Sequence, residues 1–119
     1  MKALLLVFDY TSVPQVEVLA FVDSRQEVVN YFVPVLGTML LVVRQDQDSS
    51  SVTEFLHRRF PSMMFTVLPV DRAAANGRMP SRFWDLVHDP RSSGKWEATV
   101  PAPARPERVN LRPVPSDAR

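Results

Sequence analysis

Residues 3–8 form an unbroken apolar run ended by Asp9. Continuous apolar character over a strand length predicts a β-strand buried on both faces. Ser12-Val13-Pro14-Gln15 then has the form of a capping box, with Ser12 at the N-cap, Gln15 reaching back and Pro14 in the first turn. Val18, Leu19 and Val22 follow at helical spacing, so the pattern predicts a helix ending near Asp23–Arg25. Val28 to Leu36 is rich in β-branched and aromatic residues around Pro34, and Met39 to Arg44 is a second such run beyond Gly37-Thr38. The pair reads as a hairpin whose first arm is an edge or bulged strand, because proline donates nothing to a ladder. The alternative is that the first helix resumes through Val28–Phe32.

A polar loop, Asp46 to Ser50, leads to Ser51-Val52-Thr53-Glu54, a second capping-box pattern. Val52, Phe55 and Leu56 mark the inward stripe of the helix, Phe60 closes it and Pro61 stops it. Met63 to Val70 reads as the last strand. After a loop through Ala73-Ala74-Ala75-Asn76-Gly77, Pro80 to His88 has Phe83, Leu86 and Val87 on one face and Pro90 as its stop. The expected fold is therefore α+β, a ferredoxin-like βαββαβ sandwich with a short extra C-terminal helix and an extended tail.

Composition divides the chain at about Pro90. Five of the eleven prolines fall in residues 101–119, and valine and Leu111 are the large aliphatics there. The expected organisation is a ferredoxin-like domain over 1–90 and a Pro/Arg-rich, extended or disordered tail over 91–119, which cannot offset its ordering entropy alone. Charge changes sign at the same place. Residues 1–90 carry eight Lys/Arg and ten Asp/Glu, whereas 91–119 carry six and three. A domain with that balance is not a basic nucleic-acid-binding module, so attraction to a polyanion would fall to the tail or to a local patch. There is no cysteine, which excludes disulfides, thiolate zinc sites and cysteine nucleophiles. The apolar start is too short for a signal-peptide core, and no stretch has the eighteen or so apolar residues of a membrane span, so a cytoplasmic protein without a membrane partner is expected.

Several positions could carry chemistry. Asp9 lies at the carboxyl end of the first strand, where a carboxylate can bind a divalent metal if a dimer pairs two copies; the plainer role is to end the strand or favour the helix that follows. The Asp46-to-Glu54 stretch lacks the glycine and the terminal glutamate of a calcium loop and reads as a solvated turn. Arg58 and Arg59, after His57, could contact phosphate in a nucleic acid, or act as favourable charge in a last helical turn. Arg78, Arg82 and Trp84 form the best interaction candidate, because Trp84 falls one position off the inward stripe. The two histidines do not have metal-ligand spacing, and with three glycines there is no phosphate loop. No catalytic set, metal site or cofactor is indicated.

The hydrophobic strand Leu4 to Thr11, ending Phe-Asp-Tyr-Thr and followed by helix, hairpin, helix and strand, resembles the small ferredoxin-like subunit of the CRISPR spacer-adaptation complex over roughly residues 3–70. That resemblance implies that Asp9 matches the family's metal-binding aspartate. The stretch Asn76-Gly77-Arg78-Met79-Pro80 through Trp84-Asp85 is more like small uncharacterised bacterial proteins with a Gly-x-Leu/Met-Pro…Trp-Asp/Glu pattern. The expected function is a non-enzymatic protein-interaction module, a homodimer or a subunit of a larger complex. The alternative is a metal-dependent nuclease or nucleic-acid-binding subunit that uses Asp9, Arg58 and Arg59.

Overall fold

A computed structural model describes residues 1–94. Along the chain run β1 (Lys2–Phe8), α1 (Gln15–Ser24), β2 (Val28–Val35), β3 (Thr38–Val43), α2 (Ser49–Arg59), β4 (Phe65–Pro69) and α3 (Ser81–His88). The four strands form one sheet in the order β2-β3-β1-β4, with every neighbouring pair antiparallel. It follows that β1 and β2 run the same way around β3, and that β3 and β4 run the same way around β1. The tail beyond residue 94 lies outside the described residues.

Alternation along the strands sends two sets of side chains to opposite faces. Leu4, Leu6 and Phe8 of β1 join Met39, Leu41 and Val43 of β3 under α1 and α2, with Val18, Val22, Val52, Phe55 and Leu56 closing that core. Ala3 of β1 and Leu40 and Val42 of β3 face the other way, onto Phe83, Leu86 and Val87 of α3. The sheet is thus sandwiched between two helices on one side and one on the other. The expected strand buried on both faces is so only in part, because Val7 is 39% exposed. The reason is length. An eight-residue helix such as α3 spans about 12 Å, against about 23 Å for a seven-residue strand such as β1.

The β2–β3 pair is the expected hairpin, with β2 at the sheet edge and register shifts on either side of Asn30–Phe32. Its Val28–Phe32 portion is strand, so the first helix does not resume there. Gly37 closes the turn with φ +78, and its amide donates to the Gln15 side-chain oxygen at 2.8 Å. A Cβ at Gly37 would lie 2.9 Å from the Tyr10 ring and 3.0 Å from the Phe8 carbonyl.

Both capping sites differ from expectation. Helix α1 begins after Pro14, which makes no side-chain cap bond. Ser12 Oγ instead donates to the Asp9 carbonyl, and Gln15 is turned to the hairpin. Tertiary contact has taken the residue that would have closed the box. Helix α2 begins one turn early, at Ser49. Asp48 is its N-cap, accepting from the Ser51 amide at 2.9 Å while Ser51 Oγ accepts from the Asp48 amide. Ser51 fills the role that the sequence suggested for Glu54, because Asp48, as good an N-cap as serine, starts the helix three residues earlier.

Asn30 is the one buried polar side chain among the described residues. Its Nδ2 donates to the Arg91 carbonyl at 3.1 Å and its Oδ1 accepts from the Tyr31 amide at 2.9 Å. One step along, the Ser93 amide donates to the Val29 carbonyl at 2.8 Å. The segment after α3 is in this way fastened to the outer edge of β2, which holds α3 against its face.

Two substitutions test these contacts. Gly37→Ala should destabilise the fold by about 1–2 kcal/mol through left-handed backbone strain alone, with the Tyr10 contact adding to it, measured by urea unfolding. Asn30→Ala leaves the part-buried Arg91 carbonyl without its donor and should cost about 1–3 kcal/mol. Hydrogen exchange should show the added loss of protection concentrated in α3.

Candidate functional site

The loop between β4 and α3 creates a largely apolar concavity on the described surface. Asp71 organises its first half, accepting from the Ala73 amide through Oδ1 at 3.0 Å and from the Ala74 and Ala75 amides through its carbonyl. Asn76 Oδ1 accepts from the Gly77 amide at 2.9 Å, and Gly77 has φ +149. Arg72 donates to the His88 carbonyl at 2.8 Å, joining the loop to the electronegative end of α3. Met79 then packs on the α3 core. This loop arches over the rim of the sheet and leaves a groove of about 400 Å³.

The groove floor is Leu5 and Leu68, cross-strand partners on β1 and β4. Its walls include Val70, Met79, Phe83 and Trp84, and Asp71, Asn76 and Arg78 stand at the loop side. Trp84 is half-buried, as its place one step off the inward stripe predicts. Its ring stands edge-on to Phe83, with centroids 5.0 Å apart. Leu68, in contrast, is 47% exposed in an otherwise apolar hollow.

The three expected interaction residues separate. Trp84 and Arg78 line the groove, whereas Arg82 is not among its lining residues and reaches Asp85 at 3.6 Å within α3. Asp85 also pairs closely with Arg91, and that guanidinium is the main cause of its carboxyl lying below the ordinary 3.8. Arg78 makes no ion pair with a described residue. Residues that the sequence pattern left out, Leu5 and Leu68, complete the site. Each is an ordinary strand leucine in sequence, and only the β1–β4 register and the short reach of α3 leave them accessible.

Asp9 occupies the turn between β1 and α1. Its Oδ1 accepts from the Thr11 amide at 3.0 Å and from Thr11 Oγ at 2.5 Å. Its carbonyl accepts from the Ser12 and Val13 amides. The Thr11 hydroxyl first, and then the Thr11 amide, hold the carboxyl below its ordinary value of 3.8. Among the described residues no group of three or more His, Asp or Glu side chains is placed to hold a metal ion. Arg58 and Arg59 sit in the last turn of α2, Arg58 beside Glu54 at 3.7 Å and Arg59 stacked over Phe60 at 4.5 Å. They belong to the helical face of the sandwich and are not brought together with Asp9 by any described contact. No described helix is long and apolar enough to cross a membrane.

No family model, curated protein or solved structure matches this chain.

Thr11 should control the titration of Asp9. Thr11→Val removes the hydroxyl donor while keeping the amide, so the Asp9 carboxyl should move up toward its ordinary value, read by carboxyl-carbon NMR. A depressed folded value means that the turn contributes stability above the unfolded value near pH 4 and loses it as pH falls through the folded one. Thr11→Val should narrow that acid-dependent part of the stability, and an unchanged Asp9 titration would contradict the assignment.

Proposed function

We propose that this chain is a non-enzymatic, ferredoxin-like interaction module that works as a homodimer, with the uncovered half of its sheet as the contact surface. Support for the ferredoxin-like reading is the pair of interleaved parallel relationships, β1 with β2 around β3 and β3 with β4 around β1.

The observation that carries the dimer is the composition of the sheet face beyond α3. Strand register places the cross-sheet row Val35–Thr38–Val7–Thr66 there, while Phe32, Leu40 and Leu5 of the neighbouring row pack on the α3 core. None of these four side chains is charged. Val7, Val35 and Leu68 are exposed, as is Leu36 in the adjoining turn. Four strands make this strip about 15 Å wide between its outer strands, and an uncharged apolar centre is what a self-complementary protein contact needs. A two-fold axis through such a face would pair the patch with its own copy. The edges suit a face-to-face contact better than strand addition: β4 has Pro69 at its end, and the Ser93 amide occupies a carbonyl of β2.

Light scattering should therefore give twice the monomer mass. Val7→Glu would put like charges opposite each other across the two-fold and should shift the protein to monomer while its circular dichroism remains that of the folded domain. A wild-type protein that stays monomeric at high micromolar concentration would refute the dimer.

A further inference from the structure

We propose that the groove under the β4–α3 loop binds a small amphipathic anion, an alkyl or aryl carboxylate, with its apolar body on Leu5, Leu68 and Trp84 and its carboxylate at Arg78. The inference concerns a ligand of the single chain; Leu68 also belongs to the proposed dimer face, so binding and self-association compete there.

Volume and lining set the class of ligand. About 400 Å³ lies within the range of small-molecule sites, which are mostly apolar with a few polar groups that orient the ligand. Here the polar side chains without a partner are mostly donors, and one oxygen of Asp71 is the free acceptor at the rim. Asp71 and Asn76 direct their Oδ1 acceptors to amides of their own loop, Ala73 and Gly77. The Arg78 guanidinium, the Asn76 amide nitrogen and the Trp84 indole N–H make no hydrogen bond with a described residue, and all three belong to lining side chains. A head group seated at these donors is an acceptor, and the positive charge of Arg78 favours an anionic one. The carboxylate of Asp71 is the opposing charge at the rim, engaged as it is by the Ala73 amide. It penalises a bulky multiply charged head such as a phosphate ester, because more of that charge must stand beside it. A single carboxylate meets Arg78 as a planar two-pronged acceptor.

The remaining feature is the floor. Leu5 and Leu68 are cross-strand partners on a rigid sheet, and Leu68 is 47% exposed. An alkyl chain laid over them removes apolar surface from water without reorganising the core. Arg82 takes no part, since it is engaged with Asp85.

Octanoate is a suitable probe, with octan-1-ol and octylammonium as neutral and cationic counterparts of equal length. The titration follows Trp84 fluorescence in a Trp96→Phe background, which leaves one tryptophan, and is repeated by calorimetry. Octanoate should bind saturably and about tenfold or more tightly than octanol, the effect of one charge-assisted hydrogen bond; octylammonium should be weakest. Arg78→Ala should bring octanoate down to the octanol level and leave octanol unchanged. Ala74→Phe, an exposed lining position, should weaken both. Absence of saturable octanoate binding, equal binding of the three probes, or an Arg78→Ala protein that still prefers octanoate would each overturn the proposal. Repeating the titration on Val7→Glu separates the two readings: octanoate should bind this variant at least as tightly as wild type, and more tightly only where wild type is a dimer whose contact covers Leu68.

Discussion

An eight-residue helix cannot cover a sheet whose central strands are nearly twice as long as it is, and most of the distinctive surface of this protein follows from that mismatch. The opposite face has no such shortage. There α1 and α2 lie side by side, and the side chains they bury, from Leu4 to Val67, form one continuous cluster. On the α3 face the buried set is smaller, and it is concentrated where Ala3, Val29, Leu40 and Val42 meet the helix. Beyond it the same alternating strand residues continue, now exposed to solvent.

The position of α3 is set by how its two ends are fastened. At its start, Met79 packs onto the same core as Phe83, so the loop and the helix arrive together. At its finish, Arg72 reaches the His88 carbonyl, and the following residues are held on β2 through Asn30 and Val29. These are mostly hydrogen bonds to backbone groups, which fix direction better than apolar contact does. The exposed pairs of Asp85 and Asp89 with Arg91 add little, since solvent screens them. With both ends held, the helix cannot slide along the sheet to cover Leu5, Val7 and Leu68. The groove and the bare strip are two parts of one uncovered surface, and they differ chemically because only the groove has the donor-bearing loop beside it.

Asp9 and the α2 arginines show how one residue type can suit several roles in sequence and take one in the fold. Asp9 follows an apolar strand, as a metal-binding carboxylate can. Thr11, two residues on, supplies two donors to the same oxygen and makes the carboxylate the acceptor that shapes the entry to α1. Arg59 lies over the Phe60 ring and Arg58 beside Glu54, both within their own helix end.

The hydrophobic pattern with its proline and glycine breaks determined the order and approximate limits of the elements, except at Val28–Phe32, where a resumed first helix stayed open, because alternation and helical spacing are local consequences of where apolar side chains must go. It also identified Phe83, Leu86 and Val87 as the buried stripe of α3 and Trp84 as the residue beside it. Helix starts were less legible. Gln15 was claimed by the hairpin amide of Gly37, 22 residues away, whereas at α2 two overlapping capping patterns, from Asp48 and from Ser51, competed within three residues. Only the tertiary structure decided which face α3 would occupy and how far it would reach, since a stripe of three apolar residues fits either side of a sheet. That decision separated Arg78 from Arg82 and turned Leu5 and Leu68, two leucines with nothing unusual in their sequence context, into the floor of a site. The cause is long-range: accessibility of a strand residue depends on what the rest of the chain fails to cover.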